Sequence, residues 1–148
     1  MQDEPQFYNR DISWLQFNER VLQEAEDENV PLIERIRFLG IHSNNMDEFF
    51  RVRYSFIRRL KLSGEEHMDD YFEGYSAGEL LRKLSEIVTN QQRRSQEIYD
   101  SLEKELRVHG IEMINETELT AKQSEFVKHF YKNVVAPALT NLMVSQTR

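Results

Sequence analysis

Apolar residues recur at helical spacing along most of the chain and alternate almost nowhere, so the sequence reads as a succession of helices. The first is expected from Ser13, an N-cap candidate with Gln16 three residues on and Ile12 and Phe17 at the staple positions. Trp14, Phe17, Val21, Leu22 and Ala25 then share one stripe, and the run Glu26 to Asn29 ends it. Pro31 suits a first helical position, and Leu32, Ile36 and Leu39 lead a second helix towards Gly40, which weakens it. A third helix is expected to start within Ser43, Asn44 and Asn45 and to turn Met46, Phe49, Phe50, Tyr54, Ile57 and Leu60 inward. Arg51, Arg58 and Lys61 fall off that stripe.

The stretch from Ser63 to Gly78, with Gly64, Gly74 and an acidic HMDDYFEGY centre, reads as a mobile, protease-accessible loop. Ser76 and Glu79 form a capping box that opens a long helix through Leu80, Leu84, Val88, Ile98, Leu102 and Leu106, closed by Gly110 as a C′ residue. Some thirty residues at a helical rise span roughly 45 Å, so another element must pack along it. Beyond Gly110 the IEMI stretch suits a short strand. Thr120 and Gln123 cap a last helix carrying Phe126, Val127, Phe130, Tyr131 and Val134, which Pro137 stops. The tail from Ala136 begins a further apolar element and runs out, as though the chain continues. The fold class is thus all-α, an antiparallel helical bundle or long helical hairpin over 1–106, followed by a truncated α+β segment over 107–148.

Composition narrows the setting. Apolar residues at 39% and charged residues at 30% suit a folded domain, and the lack of cysteine excludes disulfides and thiolate metal sites. No apolar run approaches a membrane span, and the acidic N-terminus is unlike a secretion signal, so a cytoplasmic location is expected, with peripheral membrane association left open. The net charge of −7 argues against nucleic acid as a partner. It is unevenly spread. Between Ile33 and Leu62 seven bases face three acids, four net positive charges, which leaves −11 for the rest. Such an island is either an anion-binding face or a solvated helix surface.

The island holds SNNMDEFFRVR, residues Ser43 to Arg53. By its spacing to Glu48, Asn45 reads first as a helix cap. Arg51 and Arg53 offer planar forks to a phosphate chain, while Asp47, four residues before Arg51, offers an ordinary helix ion pair instead. Asp47 and Glu48 point about 100° apart on a helix and make no acid–base dyad. Trp14, Phe17, Phe38, Phe49 and Phe50 sit at core spacing rather than as stacking platforms, and Arg93 and Arg94 read as solvated. No phosphate-cradling glycine loop, metal-ligand cluster or nucleophile elbow is present.

NRDISWLQFNERVLQEAED, PLIERIRFLGIHSNNMDEFFRVR and VVAPALT resemble the N-terminal part of the long, multidomain bacterial polyphosphate kinases, the first two stretches most specifically. The resemblance implies an N-terminal helical domain followed by the opening of a head domain. It also implies a reversible transfer of the terminal phosphate of ATP to polyphosphate, yielding ADP, with Mg2+ and a phosphohistidine intermediate. The reacting histidines and the phosphate-holding arginines of that family lie in C-terminal domains. None of His42, His67, His109 and His129 matches the nucleophile's motif, so this chain alone is expected to be silent, with no catalytic or metal-ligating residue and no tightly held nucleotide. By motif, Asn45 is the asparagine that meets the nucleotide base, with Ser43 or Asn44 free to cap in its place. The resemblance further implies a homo-oligomer, dimer or tetramer, built through the N-terminal and head domains. A freestanding helical module that docks an acidic partner on the basic island is the alternative.

Overall fold

Residues 8–64 and 72–140 are described by the computed structural model, and among them every regular element is helical. Helix α1 spans Arg10–Glu26 and starts earlier than Ser13. Asn9 is the cap: its Oδ1 accepts from the amides of Asp11 at 3.0 Å and Ile12 at 3.2 Å. Ser13 N already donates to the Asn9 carbonyl, so the Ser13–Gln16 box does not form the helix start. Asparagine is among the best caps, and Asp11 behind it adds a carboxylate at the positive end of the helix. The buried stripe runs through Ile12, Leu15, Leu22 and Ala25, while Phe17 is 58% exposed. Leu15 and Leu22 are two turns apart and face one way; Phe17 sits about 200° round from Leu15.

The next three segments form one rod. Helix α2 (Leu32–Glu48), a π-helical stretch (Phe49–Tyr54) and α3 (Ser55–Ser63) follow without a break. Pro31 caps α2 from just outside it. Ser43, Asn44 and Asn45 lie inside α2 and begin no helix, and the Asn45 carbonyl accepts from the Phe49 amide. Gly40 does not interrupt the rod, since a single exposed glycine costs only about 1 kcal/mol against alanine. A Cβ at Gly40 would meet nothing within 4 Å. Gly40→Ala is therefore expected to stabilise the domain by about 0.5–1 kcal/mol. A urea midpoint that fails to rise would contradict this.

In the π stretch the Ser55 amide reaches back five residues to the Phe50 carbonyl. The Ser55 hydroxyl donates to the Arg51 carbonyl at 2.6 Å, satisfying a group that the wider turn loosens. Phe49 is consequently buried, whereas Phe50, also expected inside, stands at the surface. Gly64, with φ +79°, closes α3. Positions 65–71 of the expected loop lie outside the described residues, as do 1–7 and the tail 141–148. Phe72, within the expected loop, is fully buried and ties its far end to the core.

Helix α4 covers Ala77–Val108, and the Ser76–Glu79 capping box is present in both directions. Its end is a Schellman motif: Gly110 N bonds the Arg107 carbonyl and Ile111 N the Leu106 carbonyl, each at 3.0 Å. Residue 107 thus belongs to the last turn of α4, and the chain divides into two compact units between Ile111 and Glu112.

Hydrogen bonds fix the directions in the first unit. Ascending α1, Asp11, Asn18 and Ala25 meet Arg53, Asn45 and Arg35 in turn, so the rod runs antiparallel to α1. On the other side Gln91 meets Leu15 and Arg94 meets Glu19, so α4 runs parallel to α1. Two apolar clusters fill the bundle. Leu15, Phe49, Ile57, Phe72 and Leu84 belong to one, and Leu22, Ala25, Ile98 and Leu102 form the other.

In the second unit the Thr120–Gln123 box opens α5 (Ala121–Phe130), which passes into a π stretch (Tyr131–Val135) and a 3-10 turn (Ala136–Ala138) holding Pro137. The Phe126 and Phe130 rings stack 6.3 Å apart. The strand expected over 111–114 does not form, and no strand occurs among the described residues, so the anticipated α+β segment is helical and irregular.

Candidate functional site

Between the two apolar clusters lies a polar layer. Each of the three packed helices contributes one uncharged polar side chain, Asn18 on α1, His42 on α2 and Gln91 on α4, all at most 3% exposed. Asn18 Nδ2 donates to the His42 carbonyl at 3.2 Å, and Gln91 Nε2 donates to the Leu15 carbonyl at 2.9 Å. His42 Nε2 and Gln91 Oε1 close no direct hydrogen bond. Burial lowers the His42 pKa, against smaller upward pulls from the Gln91 side chain and the Glu19 charge, so its imidazole is neutral near pH 7.

Asn45, one turn beyond His42, rests on this layer. It is half-buried, and its Nδ2 donates to Asn18 Oδ1 at 2.9 Å. Its role as a helix cap is excluded by its place inside α2. Two turns further along the rod, Arg53 faces α1 as well, and its Nε meets Asp11 Oδ1 at 2.6 Å. The Asp11 side chain is 2% exposed and that of Arg53 27%, so this pair is largely shielded from water. Arg51 points elsewhere. It lines a groove of about 630 Å³ with Tyr54, Ser55, Arg58 and Arg59, and Asn45 is not part of that lining. The structure therefore brings Asn45 and Arg53 to one side of the rod and does not bring Arg51 to them. Asp47 and Glu48 are exposed, and no ion pair joins Asp47 to Arg51.

Two bases of the island, Arg35 and Arg53, are structural. Arg35 is buried, donates to the Ala25 carbonyl and pairs with Glu105 at 2.8 Å, tying three helices together at one end. Arg37 pairs with Glu34. Arg51, Arg58, Arg59 and Lys61 join no ion pair among the described residues. Arg93 is solvated, but Arg94 is not: it bridges Glu19 and Glu26 of α1 from α4. The one sign of the polar layer in the sequence is a polar residue at a core position, as with Asn18 between Leu15 and Leu22. Among the described residues no three acids or histidines gather as a metal site.

What this arrangement offers a ligand is hydrogen bonding from a positioned amide rather than acid, base or nucleophile. The model for the polyphosphate kinase N-terminal domain matches residues 7–114. Polyphosphate kinase from Vibrio vulnificus is 39% identical over 140 residues, 94% of this chain and 19% of its own length. That from Escherichia coli K12 is 36% identical over 145 residues, 98% of this chain and 20% of its own. The crystal structure of polyphosphate kinase from Porphyromonas gingivalis superimposes with a TM-score of 0.61 at 26% identity, covering 93% of this chain and 20% of that one. The chain thus spans about a fifth of the length of these relatives.

Proposed function

Because the chain belongs to the polyphosphate kinase N-terminal domain family, we propose that it is the nucleotide-facing part of a polyphosphate kinase, which reversibly transfers the terminal phosphate of ATP to inorganic polyphosphate. In this reading residues 1–106 are the N-terminal helical domain and 107–148 open the head domain, and both contribute to a dimer or tetramer. Asn45 carries the proposal. Its carboxamide stands on a braced helix, its amino end is held by Asn18, and no internal hydrogen bond takes its Oδ1 among the described residues. An adenine edge presents the donor and acceptor groups that such an amide recognises.

The phosphates would face arginine, which grips them by a planar fork. Arg51, which joins no ion pair among the described residues, suits that role, with Arg58 and Arg59 beside it, whereas Arg53 would have to give up Asp11. In this reading magnesium and the transferred phosphoryl group fall to other parts of the enzyme. No described helix is long and apolar enough to cross a membrane. We place the enzyme in the cytoplasm or peripherally at a membrane.

The test is Asn45→Ala in the full-length enzyme. Loss of one hydrogen bond worth about 1–1.5 kcal/mol should raise the KM for ATP about tenfold. The kcat should change little, because the reacting groups are elsewhere. An unchanged KM for both ATP and ADP would refute the base contact.

A further inference from the structure

We infer that Asn18 is a positioning residue that sets the polarity of the Asn45 amide, so that the nucleotide base meets a carbonyl oxygen and a 6-amino purine is chosen over a 6-oxo purine. The inference rests on the reading that Asn45 contacts the base, and adds which atom does so and why.

The chain of constraint starts at a group that cannot change sides. A backbone carbonyl only accepts, so the His42 carbonyl, 3.2 Å from Asn18, must face the Asn18 amino group. Asn18 Oδ1 is thereby turned towards Asn45, and at 2.9 Å it in turn demands the Asn45 amino group. Flipping either amide would set oxygen against oxygen or amino group against amino group. Asn18 is fully buried at the boundary of two apolar clusters, where no bulk water is at hand to relieve such a clash. The polarity of Asn45 is therefore inherited from the backbone of its own helix through a residue on α1. Its Nδ2 is anchored on Asn18, and its Oδ1 is the end that no internal hydrogen bond takes among the described residues.

An acceptor at that position suits the exocyclic amine at C6 of adenine. It opposes the C6 carbonyl of hypoxanthine, where two lone-pair oxygens would meet. Without Asn18, Asn45 is free to rotate its amide and serve either base, so Asn18 acts on selectivity more than on affinity. A residue that merely filled space would move both substrates together.

The experiment compares ATP with ITP in the full-length enzyme by kcat/KM. The wild type should prefer ATP by about tenfold, one hydrogen bond's worth; equal use of the two nucleotides would overturn the inference without any variant. In Asn18→Leu, which keeps the branching at Cγ and removes both hydrogen bonds, the ratio should fall towards one, carried by KM rather than kcat. A folded Asn18→Leu enzyme that keeps the wild-type ratio also overturns it. Asn45→Ala separates the two readings. If Asn45→Ala abolishes the preference and Asn18→Leu does not, the base contact stands and the positioning role fails; if neither changes KM or the ratio, the base contact itself is wrong.

Discussion

Phe49→Ala is expected to cost about 4 kcal/mol of unfolding free energy, within the range for emptying an aromatic core site. The ring is 1% exposed and stacks on Trp14 at a centroid distance of 5.3 Å with an interplanar angle of 17°. Its loss removes both transfer energy and the stacked contact, and opens a cavity at the start of the π stretch. Against a total stability of about 5–15 kcal/mol for a domain, that is a large share. Phe50→Ala, one residue on, should cost about half as much, because its ring is 36% exposed and keeps only edge and tilted contacts with Phe49 and Tyr54. Urea denaturation of the two variants measures the difference. Equal losses would mean that both rings are buried and that the π stretch does not set their phase.

That contrast shows where the sequence stops being informative. The periodic pattern marks Phe49 and Phe50 alike as inward, because it assumes a constant 100° step that the π stretch changes. Signals carried by two neighbouring residues read true: Ser76 with Glu79, Thr120 with Gln123, and Gly110 past the end of α4 all do what their spacing implies. Ser13 with Gln16 has the same spacing and starts nothing, since Asn9 caps α1 one turn earlier and leaves Ser13 inside the helix. Likewise Ser43, Asn44 and Asn45 favour a cap by type. They remain in mid-helix because burial of His42 and Met46 on the rod, and the bond from Asn45 to Asn18, outweigh local preference.

The candidate site divides in the same way. Asn45 is legible through a motif, that is, through resemblance. The residues that hold it are not, because their partners lie 24 and 27 positions away and reveal themselves only when the helices pack. Arg35 is the sharper case. It reads as one more cation in a basic island, yet its carboxylate partner is 70 residues distant on α4. A charge run in the sequence therefore mixes cations that hold the fold, Arg35 and Arg53, with cations that remain at the surface, Arg37, Arg51, Arg58, Arg59 and Lys61.

Arg53 tests that division, since the sequence offers it to phosphate and the structure gives it to Asp11. Arg53→Met keeps the aliphatic stem and deletes the charge, leaving the Asp11 carboxylate buried without its cation. Breaking a buried pair costs about 3–5 kcal/mol, and the partial exposure of Arg53 places the expected loss near the lower bound, about 3 kcal/mol. The Asp11 carboxylate keeps the favourable end of α1, which also limits the damage. Adding Asp11→Asn to Arg53→Met should recover a good part of the loss, because the uncompensated charge is then gone, and the double-mutant cycle should show clear coupling. A phosphate-binding Arg53 behaves otherwise: Arg53→Met would leave the unfolding free energy unchanged and weaken polyphosphate or ATP in the full-length enzyme instead. Arg51→Met provides the opposite control, with little change in stability expected from a side chain that takes part in no ion pair among the described residues. If Arg51→Met destabilises the domain and Arg53→Met does not, the division of the basic island into fold and surface is reversed.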